Sequence, residues 1–142
     1  MQLQRTVETG ASPDRVFAYL SDFTRTEEWD PGTVRTTRTS GDGGVGTTYD
    51  NVSKFAGRET ELTYVVREHE PDRRFVIVGR NKTVTSTDTM EISLHGQGSR
   101  VTYTADFAFN GVAKLVVPFM GKAFTKLGDE AEDGLRQALA KL

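Results

Sequence analysis

Two hydrophobic periodicities alternate along the chain. Over residues 2–9 polar positions alternate with Leu3 and Val7, the pattern of a short strand with one apolar face. Ser12, Pro13 and Asp14 then form a helix start, with a hydroxyl at the cap, proline at the first helical position and an acid in the first turn. Val16, Phe17, Leu20 and Phe23 follow at helical spacing. A second helical piece over 24–29 stops at Asp30-Pro31-Gly32. From about 33 to 110 the period falls to two. Runs rich in Thr, Val, Tyr and Phe are separated there by Gly41-Asp42-Gly43-Gly44, Ala56-Gly57, Pro71-Asp72, Asn81-Lys82 and Gly96-Gln97-Gly98. Links this short join antiparallel neighbours and divide the region into six strands. After Gly111 helical spacing returns, with Phe124, Leu127, Ala131, Leu135, Ala138 and Leu142 in one stripe. Pro118 and Gly121 interrupt its start, so 112–117 reads as a separate short piece.

The element order is strand, two short helices, six strands, long helix. Seven antiparallel strands have one face to cover, and one long helix is there to cover it. The expected fold is therefore α+β, a single domain over 1–142 in which a strongly curved seven-stranded sheet wraps around the C-terminal helix. The segment Ala11-Ser12-Pro13-Asp14-Arg15-Val16-Phe17-Ala18-Tyr19-Leu20-Ser21-Asp22, the Trp29 that follows, the order of elements and the late glycine-rich hairpin resemble the START-like, helix-grip (SRPBCC) superfamily. Its polyketide cyclase/dehydrase and lipid-transport branch is the best match. The resemblance spans the whole chain and implies an internal cavity between sheet and helix.

Turn positions fix which side chains face that cavity. An Ala56-Gly57 turn sets Tyr64 opposite Tyr49, Leu62 opposite Asn51 and Thr60 opposite Ser53. A Pro71-Asp72 link sets Val66 opposite Ile77 and Glu68 opposite Phe75. A Gln97-Gly98 turn sets Leu94 opposite Val101, Ile92 opposite Tyr103, Met90 opposite Ala105, Asp88 opposite Phe107 and Ser86 opposite Phe109. The concave face then carries Tyr49, Asn51, Ser53, Phe55, Tyr64, Ile77, Ser86, Asp88, Met90, Tyr103, Phe107 and Phe109 among its members. Aromatic and aliphatic groups with a few embedded polar ones are the lining of a ligand pocket, and equally of a solid core. The resemblance places Trp29 at the cavity entrance, and a structural anchor where the second short helix meets the sheet is the equal alternative. Phe119 and Met120, with Val112, Leu115 and Val116, form a broken apolar helix start that would gate the cavity or cap the core.

Asp88 is the most informative residue, because a mid-strand carboxylate among Ser86, Met90 and Ile92 is costly to bury alone. Three roles are open to it: an ion pair with Arg58 or Arg80, a contact to a polar group on a ligand, or acid–base chemistry. Arg58 shares the inward parity. Both histidines, His69 and His95, fall at sheet ends with outward parity, which argues against a Ser-His-Asp triad or a histidine metal site. The glycine run at 41–46 joins two strands, so it lacks the helix amides a phosphate cradle needs. No metal or cofactor is expected.

Composition narrows the field further. The 142 residues include no cysteine, which removes thiolate catalysis, disulfides and cysteine-held metals. The formal net charge of −2 offers no electrostatic reason for nucleic acid as a partner. No apolar run is long enough to span a bilayer and the opening Met-Gln-Leu-Gln-Arg-Thr has no signal-peptide core, so a cytoplasmic monomer or homodimer is expected. Two functions fit: a binder of a small hydrophobic molecule such as a lipid, isoprenoid or aromatic metabolite, or, as the resemblance implies, a polyketide aromatase/cyclase or dehydratase. In the second case Asp88, Arg58, Ser53 and Tyr49 would assist enolisation and loss of water.

Overall fold

The structure is a computed structural model describing residues 1–142. β1 (Gln2–Thr9) leads into α1 (Pro13–Leu20), a short 3-10 turn (Phe23–Arg25) and α2 (Thr26–Trp29). Six strands follow: β2 (Thr33–Ser40), β3 (Thr48–Phe55), β4 (Arg58–Glu70), β5 (Arg74–Arg80), β6 (Val84–His95) and β7 (Gly98–Phe109). Two 3-10 turns (Gly111–Leu115 and Val117–Phe119) precede the terminal helix α3 (Gly121–Leu139). The seven strands form one antiparallel sheet in the order β1-β7-β6-β5-β4-β3-β2. Every neighbour except β1–β7 is a sequence neighbour, so short turns build most of the sheet.

The α3 stripe closes the core. Phe124, Ala131, Leu135 and Leu139 are buried beneath the helix. Arg5 of β1 reaches α3 across Gly128 and pairs with Asp129 (3.1 Å) and Glu132 (3.5 Å). Thr9 Oγ1 donates to the Leu139 carbonyl (3.2 Å), tying the other end of the helix to β1. A glycine governs the crossing of α2 and α3: a Cβ on Gly134 would overlap the Trp29 carbonyl oxygen. Only a bare backbone lets the two helices approach this closely. The helix ends at Leu139, short of the Leu142 in the expected stripe.

The Ala56-Gly57 turn holds as expected, with both residues at positive φ (51° and 81°) and Tyr49, Asn51 and Ser53 opposite Tyr64, Leu62 and Thr60. Two registers differ. In the last hairpin the turn is Gly96-Gln97, with His95 opposite Gly98. Met90 therefore faces Tyr103 and Asp88 faces Ala105, two residues away from the expected pairing. Gly98 serves a different purpose from a turn glycine: a Cβ there would overlap the Thr9 carbonyl oxygen on β1. A slip of two preserves which face each residue occupies, so the inward set survives. Leu94, now opposite the buried Ser99, is nonetheless exposed.

The second difference is a bulge between Val66 and Glu68. Val66 still faces Ile77, but Phe75 faces His69 in place of Glu68. The extra residue flips the parity of the strand end. His69 thus turns inward, contrary to expectation, and its ring meets Phe17 edge-on with centroids 4.9 Å apart.

Candidate functional site

Sheet and helix leave a cavity of about 530 Å³ between them. Its mouth lies between the β3–β4 turn, with Lys54, Arg58, Glu59 and Glu61, the β5–β6 turn at Asn81 and Thr83, and the broken start of α3 at Ala113, Val116 and Met120. Halfway down, Phe124 packs against Phe55 and Phe107 at a tilt and against Phe109 edge-on, with centroids 5.0–5.9 Å apart. The inner end is closed by Trp29, Ile77, Met90 and Tyr103, with the Trp29 and Tyr103 rings edge-to-face at 5.6 Å.

The polar groups at the inner end follow from strand register. Tyr64 on β4 pairs with Gly79 on β5, which pairs with Ser86 on β6. Because Gly79 has no side chain, the Tyr64 ring lies across it; a Cβ there would collide with the ring. The phenol is thereby carried one strand further, to the Ser86 hydroxyl and the Asp88 carboxylate. From the other side Tyr103 donates to Asp88 Oδ1 at 3.1 Å. Asp88 is 8% exposed, and its burial raises it to about 7 against the stabilising pull of the Tyr103 hydroxyl. The same burial, with the carboxylate beside them, holds Tyr64 and Tyr103 well above the usual phenol range.

Asp88 has no basic partner. Arg58 and Arg80 are exposed and neither forms an ion pair, so of the three roles open to Asp88 the arginine pairing is absent, and the Tyr103 hydroxyl donates to the carboxylate instead. A second carboxylate that sequence reasoning passed over, Asp30, also lines the cavity. Burial raises it too, while the Gly32 amide (3.1 Å) and Thr33 Oγ1 (3.0 Å) donate to its two oxygens. In sequence it stands in an Asp-Pro-Gly turn, where an aspartate reads as a turn former. Only the packing of α2 against α3 turns that position toward the hollow.

The remaining candidates divide between the cavity and elsewhere. Asn51, Ser53, Ser86, Phe107 and Met120 join Trp29, Tyr64, Ile77, Asp88, Met90 and Tyr103 on its wall, with Arg58 at the rim. Asn51 is already committed: its amide donates to Thr36 Oγ1 (2.8 Å) and its carbonyl accepts from Ser53 Oγ (2.7 Å). Thr36 in turn shares a hydrogen bond with Thr26 (2.7 Å), a buried chain that pins β2, β3 and α2 together. Trp29 lies deep, 3% exposed, on the cavity floor, the position of an anchor and not of an entrance residue. Tyr49 faces inward but packs on Phe23 (5.6 Å), which separates it from the cavity. Phe119 is 86% exposed and points away, because the 3-10 turn at Val117–Phe119 rotates Met120 inward in its place.

No helix is long and apolar enough to cross a membrane, and no three acidic or histidine side chains converge as a metal-ligand set. A curved sheet gripping one helix, with an aromatic-walled hollow and a buried carboxylate at its inner end, defines a helix-grip cavity protein. The chain belongs to the family described as polyketide cyclase / dehydrase and lipid transport, whose profile it matches over residues 1–140. Solved structures share the fold at low identity. The Zhui aromatase/cyclase from Streptomyces sp. R1128 superposes with a TM-score of 0.82 at 13% identity, over 98% of this chain and 93% of that one. The Thermus thermophilus protein TTHA0849 gives 0.80 at 14% identity, covering 98% and 97%. A START superfamily protein from Mycobacterium smegmatis gives 0.77 at 13%, covering 97% and 96%. No functionally curated protein matches the sequence.

Proposed function

We propose that the protein binds a small, mostly hydrophobic molecule with a hydrogen-bonding group at one end, held in this cavity with that group at Asp88. The observation that carries this reading is the asymmetry of the hollow. Below a charged and polar mouth its walls are mostly aromatic and aliphatic, and a second polar group, formed by Asp88, Tyr64, Tyr103 and Ser86, stands at the closed end. A volume of about 530 Å³ falls within the range of small-molecule sites. Apolar burial supplies affinity and the inner polar group supplies orientation.

The neutral dye N-phenyl-1-naphthylamine tests it. Its fluorescence should rise saturably with the wild-type protein, and Met90→Trp, which adds bulk to the inner wall, should weaken binding at least about tenfold with the circular dichroism spectrum retained. Equal affinity in the two proteins, or no binding to wild type, counts against the cavity as a ligand site. Native mass spectrometry of protein purified from its own host would then identify the resident molecule.

One observation favours a catalytic reading as well: a carboxyl near 7 beside a phenol suits proton transfer at neutral pH. With the family description, this supports polyketide cyclisation or dehydration with Asp88 moving the proton. Asp88→Asn that turns over a candidate polyketide as fast as wild type would remove Asp88 from such a mechanism.

A further inference from the structure

We infer that the inner end of the cavity is a site for an organic cation, an apolar molecule whose protonated amine sits against Asp88. This deepens the ligand-binding reading above and rests on it.

The first support is the distribution of charge. Apart from the phenols, the ionisable side chains in the inner wall are Asp88 and Asp30. The basic lining residues, Lys54 and Arg58, stand at the rim, where Glu59 and Glu61 match them in number. Arg5, the cation of the inward face of β1, is turned to Asp129 and Glu132 of α3 and is absent from the cavity wall. A ligand anion would therefore meet two carboxylates and no compensating base, and a ligand cation would meet its complement.

Asp88 also keeps unused acceptor capacity. A carboxylate offers about four lone-pair sites. Tyr103 occupies one on Oδ1, Tyr64 stands nearby, and the group opens on the cavity. A carboxylate this buried without a cationic partner is an expensive feature that a bound ammonium would offset. The contribution of Asp30 differs in kind. Its two oxygens are engaged by Gly32 and Thr33, so it adds negative potential and leaves contact to Asp88. Finally, Trp29, Tyr64 and Tyr103 place aromatic rings in the same wall, and aromatic faces attract cations.

The test uses three probes of one shape at pH 8: 2-(2-naphthyl)ethylamine, 2-(2-naphthyl)ethanol and 2-naphthylacetate, measured by calorimetry on the full chain. A charge-assisted contact over a neutral one corresponds to about tenfold in affinity. The amine should bind wild type about tenfold or more tighter than the alcohol, and the carboxylate should bind weakest. Asp88→Asn should remove the preference, so that the amine and the alcohol bind the variant with equal affinity to within about threefold. Asp30→Asn, which removes charge without removing the contact, should reduce the preference in part. An alcohol or carboxylate that binds as tightly as the amine overturns the inference, as does a preference that survives Asp88→Asn. If the neutral dye and the alcohol bind without charge preference, the cation site falls and the cavity reading stands. If neither those two nor the amine binds, both fall.

Discussion

Asp88→Asn should make the protein more stable at neutral and alkaline pH, and the gain should vanish in acid. An ordinary aspartate titrates near 3.8, and burial raises Asp88 to about 7. Between those values the unfolded chain has released the proton that the folded protein still holds. Folded protein therefore loses stability as the pH climbs through this window, and above about 7 the loss is complete. A shift of roughly 3 units corresponds to about 4 kcal/mol at most. Asparagine keeps the shape, still accepts from Tyr103 and carries no charge to desolvate. Urea unfolding of wild type and variant at about pH 4.5, 6, 7 and 8 isolates the effect, since every other titrating group is common to both. The difference in unfolding free energy should widen in favour of the variant by roughly 2–4 kcal/mol from the lowest to the highest pH. A difference that stays flat to within about 0.5 kcal/mol, or that widens toward acid, would refute the assignment of a buried, unpaired carboxylate at this position.

Two further outcomes check the same architecture. Tyr103→Phe removes the hydroxyl that favours the ionised form of Asp88, so the carboxyl should titrate above its wild-type midpoint when followed by carbon NMR; an unchanged or lower midpoint would show that the hydrogen bond does not act on it. Gly134→Ala forces α2 away from α3, since the new methyl would overlap the Trp29 carbonyl. Thermal unfolding should show a loss on the order of 3 kcal/mol, together with weaker dye binding as the Trp29 floor shifts. Wild-type stability in that variant would mean that the helices do not cross this closely.

The order of elements was legible because each rests on local chemistry. Period two, period 3.6 and the turn residues between them are properties of neighbouring positions, and they suffice for seven antiparallel strands and a terminal helix. The facing of most inward residues was legible too, for a reason that also concealed an error. Strand parity survives a slip of two, so Asp88, Met90 and Tyr103 face the hollow even though the last hairpin turns at Gly96-Gln97. A slip of one is different. The bulge after Val66 leaves no mark in the alternation, and it was enough to bring His69 in against Phe17.

What the chain alone determined is thus the sheet, the helix that covers it and the oddity of an aspartate in an apolar row. What only the packed molecule decided is who surrounds that aspartate. Tyr64 reaches it across Gly79, Tyr103 meets it from β7, Asp30 joins the cavity through the crossing of α2 and α3, and the arginines stay outside. Even the nearest of those partners in sequence, Tyr103, stands 15 positions from Asp88, and a charge responds to distance in space. Periodicity carries information about one neighbour or one turn, whereas burial, the strength of a field and the shape of a hollow are sums over residues that meet only once the sheet has closed on its helix.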